Sequence, residues 1–320
     1  NILNAPSSNI MNKIARLVLT MYSYDENTDS TDVRNLLRQS IDLIAKFPAM
    51  AVYGYQAKAH YLDGKSLYIH NPDPELSSSE NILKLLRPSG EYTDLEAKVL
   101  DLALVLHAEH GGGNNSTFAT HVVSSSGTDI YSSIAAAVGS LKGPKHGGAN
   151  HKVIEMMDEL KNEVKDWGSD EQIRDYLTRI IKKQAFDRTG LIYGIGHAVY
   201  TLSDPRCVLL KEQAEKLAKQ VGRTDEFELH KKVEKLAPEV FREIKGIDKP
   251  MCANIDFYSG FVYDMLGIPV EMNTPIFAVA RIVGWCAHII EEHLNGGKII
   301  RPAYKNIKKR CEYVKMSDRV

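Results

Sequence analysis

The segments TDLEAKVLDLALVLHAEHGGGNNSTF (93–118) and SIAAAVGSLKGPKHGGAN (133–150) decide how this chain folds. In the first, Leu95, Val99, Leu102 and Leu106 fall on one face of a helix. Thr93 and Glu96 stand three apart, the spacing of a capping box that starts it. The helix delivers His107, Glu109 and His110 into the glycine run 111–113, where backbone can approach a ligand closely. The second is a small-residue helix that stops at Gly143-Pro144 and sets His146 on a loop beside Gly147 and Gly148. Apolar helices that empty histidines into glycine loops read as an active-site scaffold.

Working outward, residues 1–92 read as helices broken by polar loops. Val33, Leu36, Leu37, Ile41 and Ile44 keep helical spacing, and Pro48 is expected to close that helix. The stretch NPDPELSSSE (71–80) reads as an exposed loop. Beyond Asn150 the helices become strongly charged. Val153, Met157, Leu160 and Val164 form one stripe, and the Met156–Met157 pair reads as core. After a break at Trp167-Gly168, Ser169 and Gln172 open a helix bearing Ile173, Tyr176, Leu177, Ile180 and Ile181. RTGLIYGIGHAVYTLSDPR (188–206) interrupts the helices, and Asp204 and Pro205 then supply the cap and first position of the next, which ends before Gly222. A charged helix follows over about 225–245. Asp256 opens another that stops at Gly267, and Thr274-Pro275 is expected to cap the last, which carries Arg281 and runs to about Leu294. Arg301 lies in an extended tail. No β-branched alternation and no hairpin dipeptide appears, so the fold class is all-α.

Composition narrows the function classes. The 320 residues are 43% hydrophobic and 25% charged, ordinary for a globular protein. With 40 basic and 41 acidic residues there is no cationic excess to hold nucleic acid or an anionic membrane. No apolar run is expected to span a bilayer. Four cysteines (207, 252, 286 and 311) are scattered singly, which excludes a zinc ribbon and points to a reducing compartment, the cytoplasm. The chain starts at Asn1 without a methionine and reads as a fragment or a processed form.

Each candidate motif has a bland reading. His107 and His110 are three apart and can be directed the same way, but HAEH is not HExxH, and a metal site is the weakest of its readings. GPKHGGAN lacks the GK[ST] ending of a phosphate loop, and YGIGH is not GxGxxG. The combination is more informative. Histidines 110, 146 and 197 lie at glycine-rich junctions, with Arg206, Arg281, Arg301 and the carboxylate of Asp256. Such a set can bind a small dicarboxylate through bidentate arginine contacts and keep acid–base groups to spare.

LHAEHGGGNNSTF, LKGPKHGGAN, GIGHAVYTLSDPR, ANIDFYSG, TPIFAVARIVGWCAH and IIRPAY resemble, in this order, the motifs of the citrate synthase family. The resemblance covers about residues 1–305. It implies an acyltransferase that condenses acetyl-CoA with oxaloacetate to give citrate, or 2-methylcitrate from propionyl-CoA. By position in the motifs, Asp256 removes a proton from the acetyl methyl group, His146 stabilises the enol, and His197 polarises the oxaloacetate carbonyl. His110, Arg206 and Arg281 hold the oxaloacetate carboxylates, with Arg301 supplied by the partner of a homodimer. Leu191, Ile192, Tyr193, Gly194, Ile195 and Gly196 wrap coenzyme A. The thioester is a substrate, so no cofactor and no metal is expected.

The resemblance further implies a large helical domain (1–147 and 268–320) with a small helical domain (148–267) inserted. Three departures stand out. The helical segment that usually precedes the matched part is missing, Tyr193 and Ile195 replace the common Met and Phe, and the tail after Tyr304 is atypical. A non-catalytic helical dimer that binds a dicarboxylate or CoA is the rival from another class.

Overall fold

A computed structural model describes residues 3–197, 199–246, 250–303, 305, 307, 308 and 310–319. Among them are twelve α-helices: α1 (Ile10–Met21), α2 (Val33–Tyr61), α3 (Ser78–Leu86), α4 (Asp94–His107), α5 (Asn115–Ser124), α6 (Ile130–Leu141), α7 (Ala149–Glu163), α8 (Asp170–Ile181), α9 (Pro205–Val221), α10 (Thr224–Lys245), α11 (Asp256–Met265) and α12 (Asn273–Leu294). The described residues form no strand, only an isolated antiparallel bridge between Ile195 and Ala253. The all-α class read from the sequence is the class observed. Tyr304, which closes the IIRPAY motif, lies outside the described residues.

Local signals set most helix ends. Thr93 and Glu96 form the full capping box of α4. Ser77 and Glu80 form another at α3. Asp129 caps α6, Ser169 caps α8, and Asp204 with Pro205 starts α9. Gly222, in the left-handed region, ends α9.

Four expectations need correction. Pro48 does not close a helix: α2 continues through it to Tyr61, because the whole element buries a long face that includes Phe47 and Pro48. That face runs Leu36, Gln39, Ser40, Leu43, so the apolar Leu37 and Ile41 are left exposed. Two polar residues on the buried side hid the true stripe: Gln39 donates to Asp25, and Ser40 to the Leu36 carbonyl. In α4 the buried positions are Ala97, Val99, Leu100, Ala103 and His107, and Leu95, Leu102 and Leu106 are only half-buried. A helix touched by α3, α9 and α12 has no single stripe to find. Thr274 does not cap α12. Its hydroxyl donates to the Gly147 carbonyl (2.8 Å) and ties the start of α12 to the His146 loop.

The helices pack in two sets. The first three, with α5, α6 and α12, make contacts that centre on α12 and α6, whereas α7 to α11 pack mainly on one another. Helix α4 touches both sets, through α3 and α12 on one side and α9 and α11 on the other. The segment Val270–Leu294 is long and apolar enough to cross a membrane, which corrects the expectation that no such run exists. It is 67% buried within the fold and carries Arg281 at its middle, the pattern of a central core helix.

Candidate active site

Arg281 anchors the site. It is fully buried on α12, its Nε donates to the His107 carbonyl (2.7 Å), and its guanidinium lies 4.8 Å from the Phe277 ring centre. Both terminal nitrogens, Nη1 and Nη2, are buried with no partner among the described residues. Burial pulls its pKa down to about 10. Two orphan donors on a desolvated cation are costly unless an anion pairs with them.

Arg206, at the start of α9, is held by Asp204. The carboxylate takes Nε at 3.0 Å and Nη2 at 2.8 Å, and also accepts the backbone N–H of Arg206 and of Ile255. One buried aspartate therefore caps α9, orients Arg206 and fixes the residue before Asp256. Burial acts to raise the Asp204 carboxyl, but the bonds and charge of Arg206 prevail and hold it below the usual carboxylate range.

His197 follows Gly196 in the loop before α9. Its Nδ1 accepts the N–H groups of Val199 (2.9 Å) and Tyr200 (3.1 Å), so the ring proton sits on Nε2. That nitrogen lies 3.3 Å from Arg206 Nη2. Two donors facing one space invite an acceptor such as a carbonyl or carboxylate oxygen. The His110 ring stacks parallel to His197, with centroids 5.5 Å apart and planes at 8°. Burial, then Arg206, lowers the His197 pKa and keeps the imidazole neutral.

His146 has the opposite tautomer. Its Nε2 accepts the Ser116 N–H at 3.3 Å and touches the Ser116 hydroxyl at 3.0 Å, leaving the proton on Nδ1. Burial and Arg281 both lower its pKa. The loop is held tightly: Gly147 lies so close to the Leu141 carbonyl and the Thr274 methyl that no Cβ fits there.

Asp256 is the first residue of α11, and its N–H donates to Asn254 Oδ1 (3.0 Å). Its carboxyl has no hydrogen-bond partner among the described residues. Burial pushes its pKa up to about 6, with Asp204 adding to the rise and Arg206 and Arg281 opposing it. A carboxylate poised in this way can accept a proton at neutral pH.

The loop before His197 is built onto the base. Asn254 donates its N–H to the Gly194 carbonyl (2.9 Å) and its side-chain amide to the Gly196 carbonyl (2.9 Å), and Gly196 N–H reaches the Cys252 carbonyl (2.7 Å). Gly194 has φ +78, and a Cβ there would meet Phe257 and Val153 at 2.8–2.9 Å. Leu191 is exposed, Ile192 is buried, and the Tyr193 hydroxyl donates to Asp187 (2.7 Å).

The structure thus brings His110, His146, His197, Asp256, Arg206 and Arg281 together, linked through shared partners and mutual charge. Arg301 stands apart, exposed in the tail with no polar partner among the described residues. His107 and His110 do not share a face. The helix ends at His107, which is buried with Nδ1 on the Ala103 carbonyl, whereas His110 is exposed beyond it. Sequence reading missed Ser116, Asp204, Asn254 and Trp285. Of these only Asp204 had a local signal, as the cap before Pro205.

Fold and site define an α-helical protein that gathers two arginines, three histidines and one aspartate at the junction of its two helix sets. The model of the citrate synthase C-terminal domain matches residues 1–303, and the chain belongs to the citrate synthase family. It is 38% identical to the citrate synthase of Synechocystis sp. over 281 residues, covering 88% of this chain and 64% of that protein. It is 35% identical to that of Haloferax volcanii (91% and 70%) and 34% identical to the 2-methylcitrate synthase of Shewanella oneidensis (87% and 64%). The chain therefore spans about two thirds of the length of these curated relatives. The crystal structure of citrate synthase from Pyrobaculum aerophilum superposes with a TM-score of 0.78 at 30% identity, over 99% of this chain and 76% of that one. A ternary complex of the Thermoplasma acidophilum citrate synthase with carboxymethyl coenzyme A and oxaloacetate superposes at 0.79 and 27% identity, over 99% and 79%.

Proposed function

We propose that the protein condenses acetyl-CoA with oxaloacetate and water to give citrate and CoA. The observation that carries this reading is the buried Arg281 guanidinium with two unpartnered donors, set among Arg206, His110 and His197. Two arginines suit a dianion. The Nε2–H of His197 is a donor for the ketone oxygen between the two carboxylates.

The chemistry follows from the proton positions. A methyl group beside a thioester is a very weak acid, so its proton moves to Asp256 only if the enolate oxygen is stabilised as it forms. The Nδ1–H of the neutral His146 supplies that hydrogen bond. The enol carbon then attacks the oxaloacetate carbonyl, a C–C bond forms, and the alkoxide that develops on the carbonyl oxygen is stabilised by the Nε2–H of His197 and takes up the proton that Asp256 received. Water cleaves the thioester and releases CoA. Leu191 to Gly196 would receive the coenzyme, where the open backbone at Gly196 leaves room for a ligand.

Oxaloacetate would bridge the two helix sets, with Arg206 and His197 on one and Arg281 and His110 on the other. We assign residues 148–267 to an inserted small domain that closes on the ligand and excludes water. Arg301 would act in the neighbouring subunit of a homodimer. The lone cysteines support a cytoplasmic setting, where thiols stay reduced.

The second reading is 2-methylcitrate synthesis, favoured by the Shewanella oneidensis relative. One extra methylene changes binding by about 1–3 kcal/mol, so the two acyl chains compete closely. Steady-state rates with acetyl-CoA and propionyl-CoA, oxaloacetate held saturating, test both. Faster turnover of propionyl-CoA selects the second, and no CoA release with either removes both.

A further inference from the structure

Four side chains that no step above uses form one hydrogen-bonded row against the His110 loop. Glu292 Oε2 lies 2.8 Å from His121 Nδ1, His121 Nε2 lies 3.0 Å from His288 Nδ1, and His288 Nε2 lies 3.0 Å from Glu109 Oε1. The two rings meet edge to face, 4.9 Å apart at 71°. Glu109 also accepts the Gly111 N–H, and the Ala108 carbonyl and Glu109 carboxylate press on Gly284, where no Cβ fits. Gly112 lies against both imidazoles. Along α12, Arg281, Gly284 and His288 therefore grip residues 107–112 at three successive points.

Counting protons shows what the row requires. An ionised carboxylate only accepts, so each end needs a ring N–H, and the contact between the rings needs one more. Three protons must sit on four ring nitrogens, whereas two neutral imidazoles carry two. A fully hydrogen-bonded row therefore requires one extra proton, shared by two histidines between two glutamates. Its surroundings suit a cation. Glu291 Oε2 lies 3.5 Å from His288 Nδ1, and among the described residues the charged side chains of α2, α4 and α6, which pack on these helices, make no ion pair with either ring. Arg281, on the same helix, acts electrostatically on Glu109. Burial acts to raise the Glu109 carboxyl, but bonds from His288 and the Gly111 amide prevail and hold it below the usual range, so the extra proton belongs to the rings.

We propose that His121 and His288 are positioning residues: their shared proton clamps Glu109, and through it the 108–113 loop, so that His110 is held in place for a carboxylate substrate. Loss of that proton at higher pH leaves two acceptors facing each other in one of the three contacts, and the clamp opens. Only the last link, to oxaloacetate, rests on the proposed function.

The test reads the proton first and the substrate second. Ring-nitrogen NMR of the full chain with labelled histidine, assigned with His121→Arg and His288→Gln, should show three protonated nitrogens in the pair, falling to two as pH rises. Hydrogen exchange in residues 108–113 should quicken over the same range. Calorimetry with oxaloacetate should show affinity falling about tenfold across it, the loss expected for one charge-assisted hydrogen bond. His121→Arg gives a fixed cation that can donate to both Glu292 and His288 Nδ1. It should keep the affinity and abolish the pH dependence, with kcat unchanged. A pair that carries two protons throughout, or a His121→Arg protein whose loop exchange still follows pH as in the wild type, overturns the proposal. Loop exchange that follows the pair while oxaloacetate fails to bind at any pH supports the clamp and removes oxaloacetate as its substrate.

Discussion

The indole of Trp285 donates through Nε1–H to the Ser116 hydroxyl at 3.1 Å, and the backbone N–H of the same serine faces His146 Nε2 at 3.3 Å. Trp285 and Ser116 are both fully buried, so the tautomer of His146 is set by a core contact. Ser116→Ala removes the hydroxyl and keeps the backbone donor. It should cost about 1–3 kcal/mol of stability, for the stranded indole N–H, and change turnover little. Chemical denaturation with parallel steady-state assays checks this. A large fall in kcat with unchanged stability would place the hydroxyl itself in the chemistry.

Asp256 should act as a base with a pKa of about 6. A base works when deprotonated, so kcat/KM should rise with pH to about 6 and then level, provided substrate and the other groups do not titrate there. Asp256→Asn should lower kcat by about 10²–10⁴-fold, leave oxaloacetate affinity nearly intact and erase the rising limb. A pH–rate profile of both proteins, with oxaloacetate binding measured separately, decides it. A rising limb that survives in Asp256→Asn assigns it to another group.

Arg281 sets binding against stability. Two of its buried guanidinium nitrogens, Nη1 and Nη2, have no hydrogen-bond partner among the described residues. Arg281→Met should raise the thermal midpoint of the ligand-free protein, because an apolar side chain of similar length removes the desolvation cost. The same change should weaken oxaloacetate binding by about 2–5 kcal/mol. Calorimetric melting with and without oxaloacetate measures both effects, and a variant that is less stable and binds normally contradicts both.

Two buried histidines should make the fold acid-sensitive. His107 and His230 have pKa values lowered by burial from 6.5 to about 4. The unfolded chain binds these protons below pH 6.5 while the folded chain refuses them until about 4. Their contribution is therefore complete above 6.5 and lost as pH falls through that window. Each accounts for about 3 kcal/mol at most, from roughly 1.4 kcal/mol per pH unit. Urea denaturation between pH 7 and 4.5 should show falling stability, less steeply in His230→Phe, whose ring can keep the stacking at 4.3 Å on Phe261.

Arg301 can be assigned to a site by mixing subunits. Pair Asp256→Ala with Arg301→Ala, each inactive alone, and let the chains exchange. If Arg301 serves its neighbour, one site in each mixed dimer lacks both residues and the other is whole, so about half the wild-type activity per mixed dimer returns. If it serves its own chain, exchange confirmed by native mass spectrometry restores nothing.

Helical type and many helix ends beyond residue 92 could be read from the sequence, because caps such as Thr93–Glu96 and Asp204-Pro205 are local chemistry. What escaped was non-local. Nothing near Pro48 announces that α2 buries enough surface on both sides of it to continue. The α4 stripe shifted because four helices, α3, α9, α11 and α12, pack around it. The candidate site was legible in its loops and charges, where glycine and histidine occur together. The groups that fix those charges were not: Ser116 lies 30 residues from His146, Asn254 nearly 60 from Gly196, and neither pairing has a spacing to recognise.

The clasp between residues 194–196 and 252–254 has a consequence for timing. Gly194 and Gly196 give their carbonyls to Asn254, Gly196 takes the Cys252 carbonyl, and Asn254 receives the amide of Asp256. The loop proposed to receive the coenzyme and the proposed base are thus parts of one rigid piece, although the chain places α9 and α10 between them. Whatever displaces the loop displaces the carboxylate with it. Under the proposed function deprotonation would be geared to occupancy: an empty or misplaced loop would leave the carboxylate off target, and no enol would form on a thioester that the loop does not hold.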